Sequence, residues 1–266
     1  MPKIELIQGD CLEKMKDIPD KSIDMVLCDL PYNTTACHWD KLIPFEPLWA
    51  LYKRIIKDNG AIVLTASQPF TSALVMSNIK MFKYEWVWVK EKGTGFAFSK
   101  KQPLRRKEDV LVFYKNQPHY DFQGEKLDKP YKHTLPINKS DSGGITTNNL
   151  NSDGSRQYAE YTHKTKDNII ILPRDNANKG LHPTQKPVAL FEYLIKTYTN
   201  EGDLVLDNCI GSGTTAVACV NTKRNFIGME LSPEYCKIAN NRLSQLNSEV
   251  GIPPKSKVLG ILPNFI

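Results

Sequence analysis

The sequence lacks several features that would place it in common protein classes. No apolar run approaches the ~20 residues that a membrane-spanning helix requires, and Met1–Asp10 has acidic residues but no apolar signal core. The 6 cysteines form no CxxC pair and no metal-ligand spacing, so we expect reduced thiols and no metal site. We therefore predict a cytoplasmic globular protein. A chain of 266 residues suffices for one sizeable α/β domain with a small insertion.

Positive charge is concentrated in one part of the chain. Between Lys80 and Lys139 there are 14 Lys/Arg residues against 7 Asp/Glu residues, whereas the whole chain has a net charge of only +6. The same stretch holds 11 aromatic residues. Basic side chains interleaved with aromatic rings are typical of surfaces that bind a polyanion whose bases stack. A strand-rich segment with core aromatics and a solvated lysine face would give the same pattern, so composition leaves both interpretations open.

Short apolar strands alternate with helices through most of the chain, which predicts a doubly wound parallel sheet. Ile23–Cys28 is an almost continuous apolar strand of the kind that is buried on both faces. From about Asn116 to Lys179, Ser, Asn, Asp, Gly and Lys dominate over a stretch too long for an ordinary connection. We therefore predict an α/β domain formed by residues 1–115 and 181–246, an inserted region at 116–180 and a peripheral tail at 247–266.

Local signals predict the limits of particular elements. Asn59-Gly60 is a helix-stop signal, so we expect a helix over about Leu48–Lys57 and a strand at Ala61–Thr65. A further helix is expected at Val188–Tyr198, followed by a strand at Leu204–Leu206.

The first group of residues with chemical meaning follows that strand. Asp207 comes directly after Leu206, and a Gly-Ser-Gly turn at 211–213 leads into a helix from about Thr214. Such a turn lets the backbone approach a ligand and aims helix N–H groups at a negative group such as a carboxylate. Glu230 ends the next strand 23 residues after Asp207, where a carboxylate is placed to bind ribose hydroxyls.

This pattern favours a cofactor that contains a nucleoside but no pyrophosphate. It lacks the third glycine of the dinucleotide fingerprint and the lysine of a P-loop. S-adenosylmethionine, a nucleoside joined to an amino acid, fits. The alternative is that the small residues serve only to pack the helix on the strand.

The second group is Asp29-Leu30-Pro31-Tyr32, at the end of the buried strand Ile23–Cys28. The Asp29 carboxylate accepts hydrogen bonds, and the proline removes a donor and stiffens the turn, which leaves nearby carbonyls free to accept. Tyr32 offers a ring on which a flat base can stack. Two acceptors and a ring describe a pocket for a planar aryl amine, although an ordinary strand-to-loop turn can use the same residues.

Together these motifs resemble the DNA amino-methyltransferases, which modify N6 of adenine or N4 of cytosine. Asp29–Tyr32 resembles their catalytic Asp-Pro-Pro-Tyr tetrapeptide, and residues 207–215 resemble their cofactor loop. His182–Pro187 is similar to the segment that helps close the methionine end of the site, and Gly9-Asp10 resembles the acidic turn that contacts the cofactor adenine. The catalytic motif precedes the cofactor loop, as in the circularly permuted β group, and the resemblance covers roughly residues 4–242.

The resemblance implies a fold and a set of roles. The fold is a circularly permuted, doubly wound, Rossmann-like S-adenosylmethionine-dependent methyltransferase fold, in which residues 116–180 are the target-recognition region. Asp29, Leu30, Pro31 and Tyr32 would be catalytic. The implied cofactor-binding residues are Asp10, Cys11, Asp29, Thr184, Lys186, Asp207, Gly211, Ser212, Gly213, Thr214, Thr215 and Glu230. For Lys186 two interpretations stay open: it meets the methionine carboxylate, or it covers a helix face.

The resemblance also implies double-stranded DNA as a partner, and it leaves a homodimer and a cognate restriction endonuclease open. We expect the Asn33–Lys41 loop to move over the substrate and the stretch Gly93–Lys107 to contact phosphates. Trp39 is a candidate DNA contact or a packing anchor. The predicted DNA-binding residues are Trp39, Lys92, Lys100, Lys101, Arg105 and Arg106.

The sequence departs from the family pattern at two places. Leu30 replaces the first proline of the tetrapeptide, but the family mechanism uses the backbone carbonyl there, which leucine also supplies. Asn208-Cys209 replaces Pro-Phe in the cofactor loop, where the family phenylalanine packs near the cofactor. Asp rather than Ser at position 29 resembles the N6-adenine members more than most N4-cytosine members.

We therefore predict methyl transfer from S-adenosylmethionine to N6 of a flipped-out adenine in duplex DNA. An enzyme for N4 of cytosine in DNA, or for an RNA base amine, would keep the same fold. A catalytically inactive nucleic-acid-binding protein is an alternative from another class. Glutamine side-chain methyltransferases are a further alternative, but they usually carry Asn in the tetrapeptide and are not permuted.

Overall fold

The computed structural model describes residues 2–34, 40–134, 155, 157–164, 166–173 and 185–249, with side-chain surroundings to residue 246. The described residues up to Asp121 and from Asn168 onward form one compact unit, and Phe122–Asp167 form a second. None of the described helices combines the length and the apolar character needed to cross a membrane.

The first unit alternates strands with helices, and the second contains two strands. In chain order the strands are β1 Ile4–Gln8, β2 Ile23–Cys28, β3 Ile56–Ala66, β4 Phe82–Thr94, β5 Arg105–Phe113, β6 Glu125–Thr134, β7 Tyr158–Lys164, β8 Ile169–Ile171, β9 Leu204–Asp207 and β10 Asn225–Glu230. The helices are α1 Cys11–Lys14, α2 Phe45–Ile55, α3 Phe70–Ser77, α4 Val188–Tyr198, α5 Thr214–Asn221 and α6 Pro233–Glu249. The predicted bounds of β2 and α4 are confirmed.

Eight strands of the first unit form one sheet in the order β1-β10-β9-β2-β3-β5-β4-β8. β5 runs antiparallel to both of its neighbours, and every other pairing is parallel. The prediction of a wholly parallel sheet is therefore wrong at β5. The physical reason is the ten-residue connection 95–104 between β4 and β5, which makes a hairpin, because parallel neighbours need a crossover of about a dozen residues or more.

Helices cover both faces of this sheet, which explains why β2 is apolar at every position except Asp24. Met25 and Leu27 pack into one hydrophobic cluster, which includes residues of α4, α5 and α6. Val26 and Cys28 point the other way, into a second cluster that includes residues of α1, α2 and α3. Because successive strand side chains alternate between faces, a strand covered on both sides has no position for an exposed polar residue.

Two other parts of the first unit differ from the sequence expectation. β3 begins at Ile56, so Asn59-Gly60 lies inside a strand and does not follow a helix. The register with β2 shifts between Ile23, which pairs with Ile56, and Met25, which pairs with Ala61, so the β3 residues between these pairs form an irregularity of the strand. β8, which falls within the predicted insertion, pairs in parallel with the edge of β4, and Val87 N–H donates to the Asn168 carbonyl at 2.7 Å.

The second unit is built on the antiparallel pair β6–β7. Tyr131 and Tyr161 are directly opposite each other, and their rings stack with centroids 5.3 Å apart. Tyr131 and Tyr158 are exposed. A two-stranded ribbon with exposed aromatic side chains has little core of its own.

The parallel part of the large sheet determines where polar residues meet. β1, β10, β9, β2 and β3 are consecutive in the sheet, so their carboxyl ends lie side by side along one edge. Ligands of open α/β sheets bind outside this edge. Polar residues at or near the carboxyl ends of these five strands are, in spatial order, Asp10, Glu230, Asp207, Asp29 and Thr65.

Candidate active site

A cavity of about 830 Å³ opens along this edge of the sheet. Its volume falls within the range of about 300–1,000 Å³ that is common for small-molecule sites. The cavity brings together predicted site residues that are far apart in the sequence, such as Asp10 and Glu230. The predicted site residues that line the cavity are Asp10, Cys11, Asp29, Leu30, Pro31, Tyr32, Arg105, Lys186, Asp207, Gly211, Ser212, Thr214, Thr215 and Glu230. Thr184 and Trp39 lie outside the described residues.

The loop between β9 and α5 has a conformation that only glycine adopts without strain. Gly213 has φ of +82°, and a Cβ built there would lie 3.0 Å from the Cβ of Ala239 on α6. α5 begins at the next residue, Thr214, and both Thr214 and Thr215 line the cavity. Glycine at 213 therefore lets the loop pack closely against α6, and the approach of the loop backbone to a ligand stays a prediction.

Asp207 anchors this loop from beneath. Its carboxylate accepts a hydrogen bond from the Cys209 N–H at 3.0 Å and another from the Thr215 hydroxyl. The side chain is almost fully buried, and burial raises the pKa of this carboxyl to about 6, although the two hydrogen bonds oppose the rise. Asp207 thus fixes the shape of the loop through bonds at both of its ends.

Glu230 and Asp10 also hold backbone at the same edge. The two carboxylate oxygens of Glu230 accept the N–H groups of Gly211 at 2.9 Å and Ser232 at 2.8 Å. Asp10 caps α1 by accepting the Leu12 N–H at 2.8 Å. Each carboxylate oxygen has a second lone pair, so these residues keep acceptor capacity for ligand hydroxyl or amino groups.

The side-chain amide nitrogen of Gln185 is a hydrogen-bond donor that a ligand in the cavity could satisfy. Its carbonyl oxygen accepts the Ser212 hydroxyl at 2.8 Å. Its amide nitrogen is buried and has no hydrogen-bond partner among the described residues, although the side chain lines the cavity. A buried donor without a partner is costly, and a carboxylate placed against the loop would satisfy it. The loop, the acidic row and this donor together fit an amino-acid-bearing nucleoside such as S-adenosylmethionine.

Asn208 and Cys209, which replace the family Pro-Phe, line the cavity together with Cys11. Asn208 is buried and accepts the Tyr52 hydroxyl at 2.5 Å, while its amide nitrogen lies 3.5 Å from the sulfur atoms of Cys11 and Cys209. The hydrogen bond to Cys209 and then burial raise the pKa of the Cys11 thiol. These thiols therefore stay protonated near neutral pH, where the thiolate would be the reactive form.

Asp29 lies at the centre of a dense hydrogen-bond network. One carboxylate oxygen is approached by the hydroxyls of Tyr32, at 2.8 Å, and Thr65. The other accepts the ammonium group of Lys186 at 2.6 Å. Burial and the charge of Asp29 raise the pKa of Tyr32 well above its ordinary value, so that its hydroxyl remains a donor.

The structure places Lys186 beside Asp29 and does not support the interpretation that it covers a helix face. The residue precedes α4 and is buried, so it does not cover a helix face. Its ammonium lies 2.6 Å from Asp29 and 3.3 Å from Glu108. Burial alone lowers the pKa of this amine, but the charges of Asp29 and Glu108 raise it above its ordinary value. Glu108 in turn pairs with Lys90, which makes a cluster of two carboxylates and two ammonium groups.

The ring of Tyr32 is already partly covered. Phe70 stacks on it with ring centroids 5.0 Å apart and an interplanar angle of 23°. The Lys186 ammonium lies over the same ring, 5.4 Å from its centroid. The structure therefore shows two groups on this ring, Phe70 and the Lys186 ammonium, that the sequence did not predict.

The predicted DNA-binding residues of the β4–β5 hairpin are exposed at its end. The connecting loop between the strands also exposes two aromatic side chains, Phe96 at 82% and Phe98 at 56%. Arg106 donates to the carbonyls of Lys90 and Glu91, so its guanidinium braces the hairpin. The exposed predicted residues are Lys92, Lys100, Lys101, Arg105 and Arg106.

Sequence reasoning missed several residues of the site. Thr65 follows Leu64, which pairs with Cys28, so adjacency to Asp29 required knowing that β2 and β3 are neighbours. Glu108 belongs to the antiparallel strand β5, whose direction was predicted wrongly. Asp40 accepts the N–H groups of Asn33 and Thr34 at 2.7 and 2.8 Å and so fixes the chain beyond Tyr32. For this role of Asp40, the one signal in the sequence was that a carboxylate follows Asn33 and Thr34 at a short distance along the chain.

The fold and the cavity define a class of enzyme. An α/β sheet carries an acidic row and a glycine turn for a nucleoside cofactor at the carboxyl ends of β1, β10 and β9. A carboxylate motif follows at the end of the next strand, β2, in the same cavity. This arrangement is that of a methyltransferase that acts on a planar amine.

Comparison with known proteins identifies the family. Residues 23–241 match the DNA methylase family N6_N4_Mtase, and the chain belongs to it. It is 28% identical over 267 residues to the type II methyltransferase M.HpaI of Haemophilus parainfluenzae, covering 95% of this chain and 78% of the relative. It is 30% identical over 258 residues to the DNA adenine methyltransferase YhdJ of Escherichia coli (strain K12), covering 90% and 82% of the two chains.

Among solved structures, the chain resembles the crystal structure of an M1.HpyAVI–SAM complex. The TM-score is 0.60 and the identity is 26%, over 90% of this chain and 99% of the other. The protein is therefore a DNA amino-methyltransferase of the N6-adenine or N4-cytosine kind, with a Rossmann-like α/β fold and a mixed sheet. S-adenosylmethionine is its cofactor and DNA its substrate.

Proposed function

We propose that the protein methylates N6 of adenine in double-stranded DNA at a specific sequence. The observation that carries this proposal is Asp29, which lies at the end of β2 in the same cavity as the cofactor row. An aspartate at the head of this motif is more typical of N6-adenine enzymes, and a named relative, YhdJ, is a DNA adenine methyltransferase. N4 of cytosine is the second candidate, because the same acceptors serve either amine.

The target amine needs help because its lone pair is delocalised into the ring and because it is buried in the duplex. The base is flipped out of the helix into the cavity, at a cost of a few kcal/mol. Asp29 and the backbone carbonyl of Leu30 accept the two amine hydrogens, which draws the nitrogen toward tetrahedral geometry. Tyr32, held between Phe70 and the Asp29 carboxylate, offers a rigid edge and ring to the base.

The cofactor supplies an already activated methyl group as a sulfonium. The contribution of the protein is therefore mainly orientation, which is worth several orders of magnitude in rate when two reactants are aligned. Glu230 is assigned to the ribose, Asp10 to the adenine amine and the Gly211–Thr215 loop with Gln185 to the methionine end. Asp207 supports this loop from below, through the bonds described above.

The β4–β5 hairpin is assigned to the DNA. Lys92, Lys100, Lys101 and Arg105 contact phosphates, and the exposed rings of Phe96 and Phe98 meet bases next to the flipped nucleotide. Residues 116–180 remain the proposed target-recognition region, within a circularly permuted catalytic domain. A cognate restriction endonuclease, a homodimer and a cytoplasmic location stay predictions; the designation of M.HpaI as a type II methyltransferase supports the first.

The test is methyl transfer from isotopically labelled S-adenosylmethionine to unmethylated genomic DNA, followed by nucleoside analysis of the product. We expect N6-methyladenine from the wild type. The Asp29→Ala variant should bind the cofactor within about threefold of the wild type and lose activity by about 10²–10⁴-fold. N4-methylcytosine as the product would replace adenine by cytosine in the proposal, and normal turnover by Asp29→Ala would contradict the assignment of Asp29.

A further inference from the structure

Four charged side chains around Lys186 form a cluster whose ion pairs have no role in the function proposed above. It consists of Asp29, Lys186, Glu108 and Lys90, linked in that order by ion pairs. Lys186, Lys90 and Glu108 are mostly buried, whereas Asp29 is about one-quarter exposed. All four residues line the cavity. Charged groups are rarely buried at this density without a specific use, because removing each of them from water is costly.

The hydrogen bonds to the Asp29 carboxylate leave one of its acceptor lone pairs unused. Tyr32 and Thr65 occupy one oxygen, and Lys186 occupies one lone pair of the other, at 2.6 Å. A carboxylate has about four acceptor positions in total. The remaining lone pair therefore belongs to the oxygen that Lys186 holds, and the ammonium group determines the direction in which it points.

Glu108 explains how a lysine can occupy this position without opposing the reaction. Positive charge moves from the sulfonium toward the base nitrogen, next to Asp29, as the methyl group is transferred. An unbalanced ammonium beside Asp29 would repel that charge. Glu108 lies 3.3 Å from the Lys186 ammonium, and the four-residue cluster has no net charge. One Glu108 oxygen, Oε2, is buried without a hydrogen bond to any described residue, so its interaction with Lys186 is electrostatic.

We infer that Lys186 is a positioning residue for methyl transfer: balanced by Glu108, it orients the Asp29 carboxylate toward the target amine and does not bind the cofactor carboxylate. The inference rests on the proposed function, since it requires an amine that Asp29 accepts from. It holds for an adenine or a cytosine amine, because both present two hydrogens to the same acceptors. In this arrangement Lys186 acts on the substrate only through Asp29.

The experiment compares Lys186→Met and Lys186→Arg with the matched control Lys196→Met. Lys196 is exposed on α4, and the same change there removes a charge away from the cavity. Single-turnover methylation at saturating DNA and cofactor measures the chemical step, and equilibrium dialysis measures the Kd for S-adenosylmethionine. A displacement of a catalytic group by about 1 Å costs about 100-fold in rate. We therefore expect Lys186→Met to slow the step at least about 100-fold, with a cofactor Kd within about threefold of wild type.

The conservative variant separates positioning from a merely structural role. Lys186→Arg keeps a donor and a charge, so it should recover at least about tenfold of the lost rate. Wild-type rates for Lys186→Met would overturn the inference. A cofactor Kd raised more than about tenfold with a normal rate at saturation would overturn it in favour of the methionine carboxylate.

A second variant covers the case in which Lys186→Met does not fold. Glu108→Gln keeps the shape of the side chain but removes its charge, and we expect it to slow the single-turnover step by about tenfold at an unchanged cofactor Kd. A wild-type rate for Glu108→Gln would then overturn the inference. Nucleoside analysis of the wild-type product on the same DNA distinguishes failure of the proposed function from failure of the positioning role of Lys186. An inactive wild type would contradict the proposed function, whereas an active wild type with equally active variants would contradict the positioning role.

Discussion

Single residues at this site serve several partners at once, and Asp207 is the clearest case. Its side chain is buried, lines the cavity and closes the cofactor loop through Cys209 and Thr215. The protein therefore keeps a carboxyl group where its charged form is unfavourable, and burial raises its pKa from 3.8 to about 6. Ionisation of the buried Asp207 carboxyl, which holds the loop between β9 and α5, therefore lowers the stability of the protein by an amount that depends on pH.

The sign of this dependence follows from proton binding. The folded state binds the Asp207 proton more tightly than the unfolded state, so the stabilisation is fully present below pH 3.8 and is lost as the pH rises through about 6. At about 1.36 kcal/mol per pKa unit, the whole effect is about 3 kcal/mol, of which about 2 kcal/mol falls between pH 4.5 and 7.5.

The Asp207→Asn variant lacks this titration and therefore measures it. Its free energy of unfolding should rise by about 2 kcal/mol relative to that of the wild type between pH 4.5 and 7.5, because only the wild type loses stability over this range. Denaturant unfolding of both proteins at several pH values provides the comparison, since all other groups titrate alike in the two. A difference that is independent of pH would show that Asp207 has an ordinary pKa.

The glycine at position 213 allows a second test at the scale of one residue, with a control that the chain itself provides. Gly213 and Gly202 have similar φ values, +82° and +87°, but only Gly213 would bring a Cβ against Ala239; nothing lies within 4 Å at Gly202. Both alanine variants should lose about 1–2 kcal/mol through backbone strain. Gly213→Ala should lose more and should also raise the Kd for S-adenosylmethionine, as measured by thermal melts and calorimetry. Equal losses and equal cofactor affinities would contradict the role of the loop.

At the scale of elements, the direction of β5 was the feature that the sequence did not reveal. The apolar part of β5, Val110–Phe113, resembles the apolar residues of β2, and periodicity does not distinguish a parallel from an antiparallel neighbour. The antiparallel direction brings the first residues of β5, including Arg105 and Glu108, to the edge where the parallel strands end. Elements with strong local patterns, such as α4, were predictable, whereas the partners of Asp29 depended on strand order.

The β4–β5 hairpin carries a prediction about ionic strength. Each phosphate contact contributes about 0.9 to the slope of log K against log salt for duplex DNA. The double variant Lys100→Ala/Lys101→Ala should therefore weaken DNA binding and lower this slope by about 1.8, at an unchanged cofactor Kd. The double variant Lys53→Ala/Lys196→Ala removes the same charge from exposed positions outside the cavity and is the control. Equal salt slopes in the two variants would mean that the hairpin does not contact phosphates.

At the scale of the whole molecule, the two compact units have unequal shares of the core. Both hydrophobic clusters consist of residues from the first unit, whereas the pair β6–β7 has mainly exposed side chains. The second unit falls inside the inserted region that was predicted at 116–180 from the change in composition near Asn116. Its limits, Phe122 and Asp167, were not predictable, since β8 is too short and isolated to separate from a loop by pattern.

This division predicts the result of replacing Phe122–Asp167 with a flexible linker. The remaining chain keeps both clusters and the cavity, so it should fold and bind S-adenosylmethionine within about threefold of wild type. If the proposed target-recognition role is right, methylation of DNA should become weak and lose its preference for one sequence. Sequencing that detects modified bases gives the readout. A shortened protein that still methylates one sequence would place recognition elsewhere in the chain.

The buried charges around Lys186 and the exposed charges of the β4–β5 hairpin differ in how strongly dissolved salt screens them. Dissolved ions screen exposed charges beyond about 10 Å at 0.1 M, but they screen buried pairs much less. If the hairpin binds DNA as proposed, adding salt drives DNA off it and leaves the geometry around Asp29 intact. The enzyme that still holds DNA in concentrated salt is expected to react as fast as in dilute buffer, so its loss of activity there is a loss of occupancy and not of chemistry.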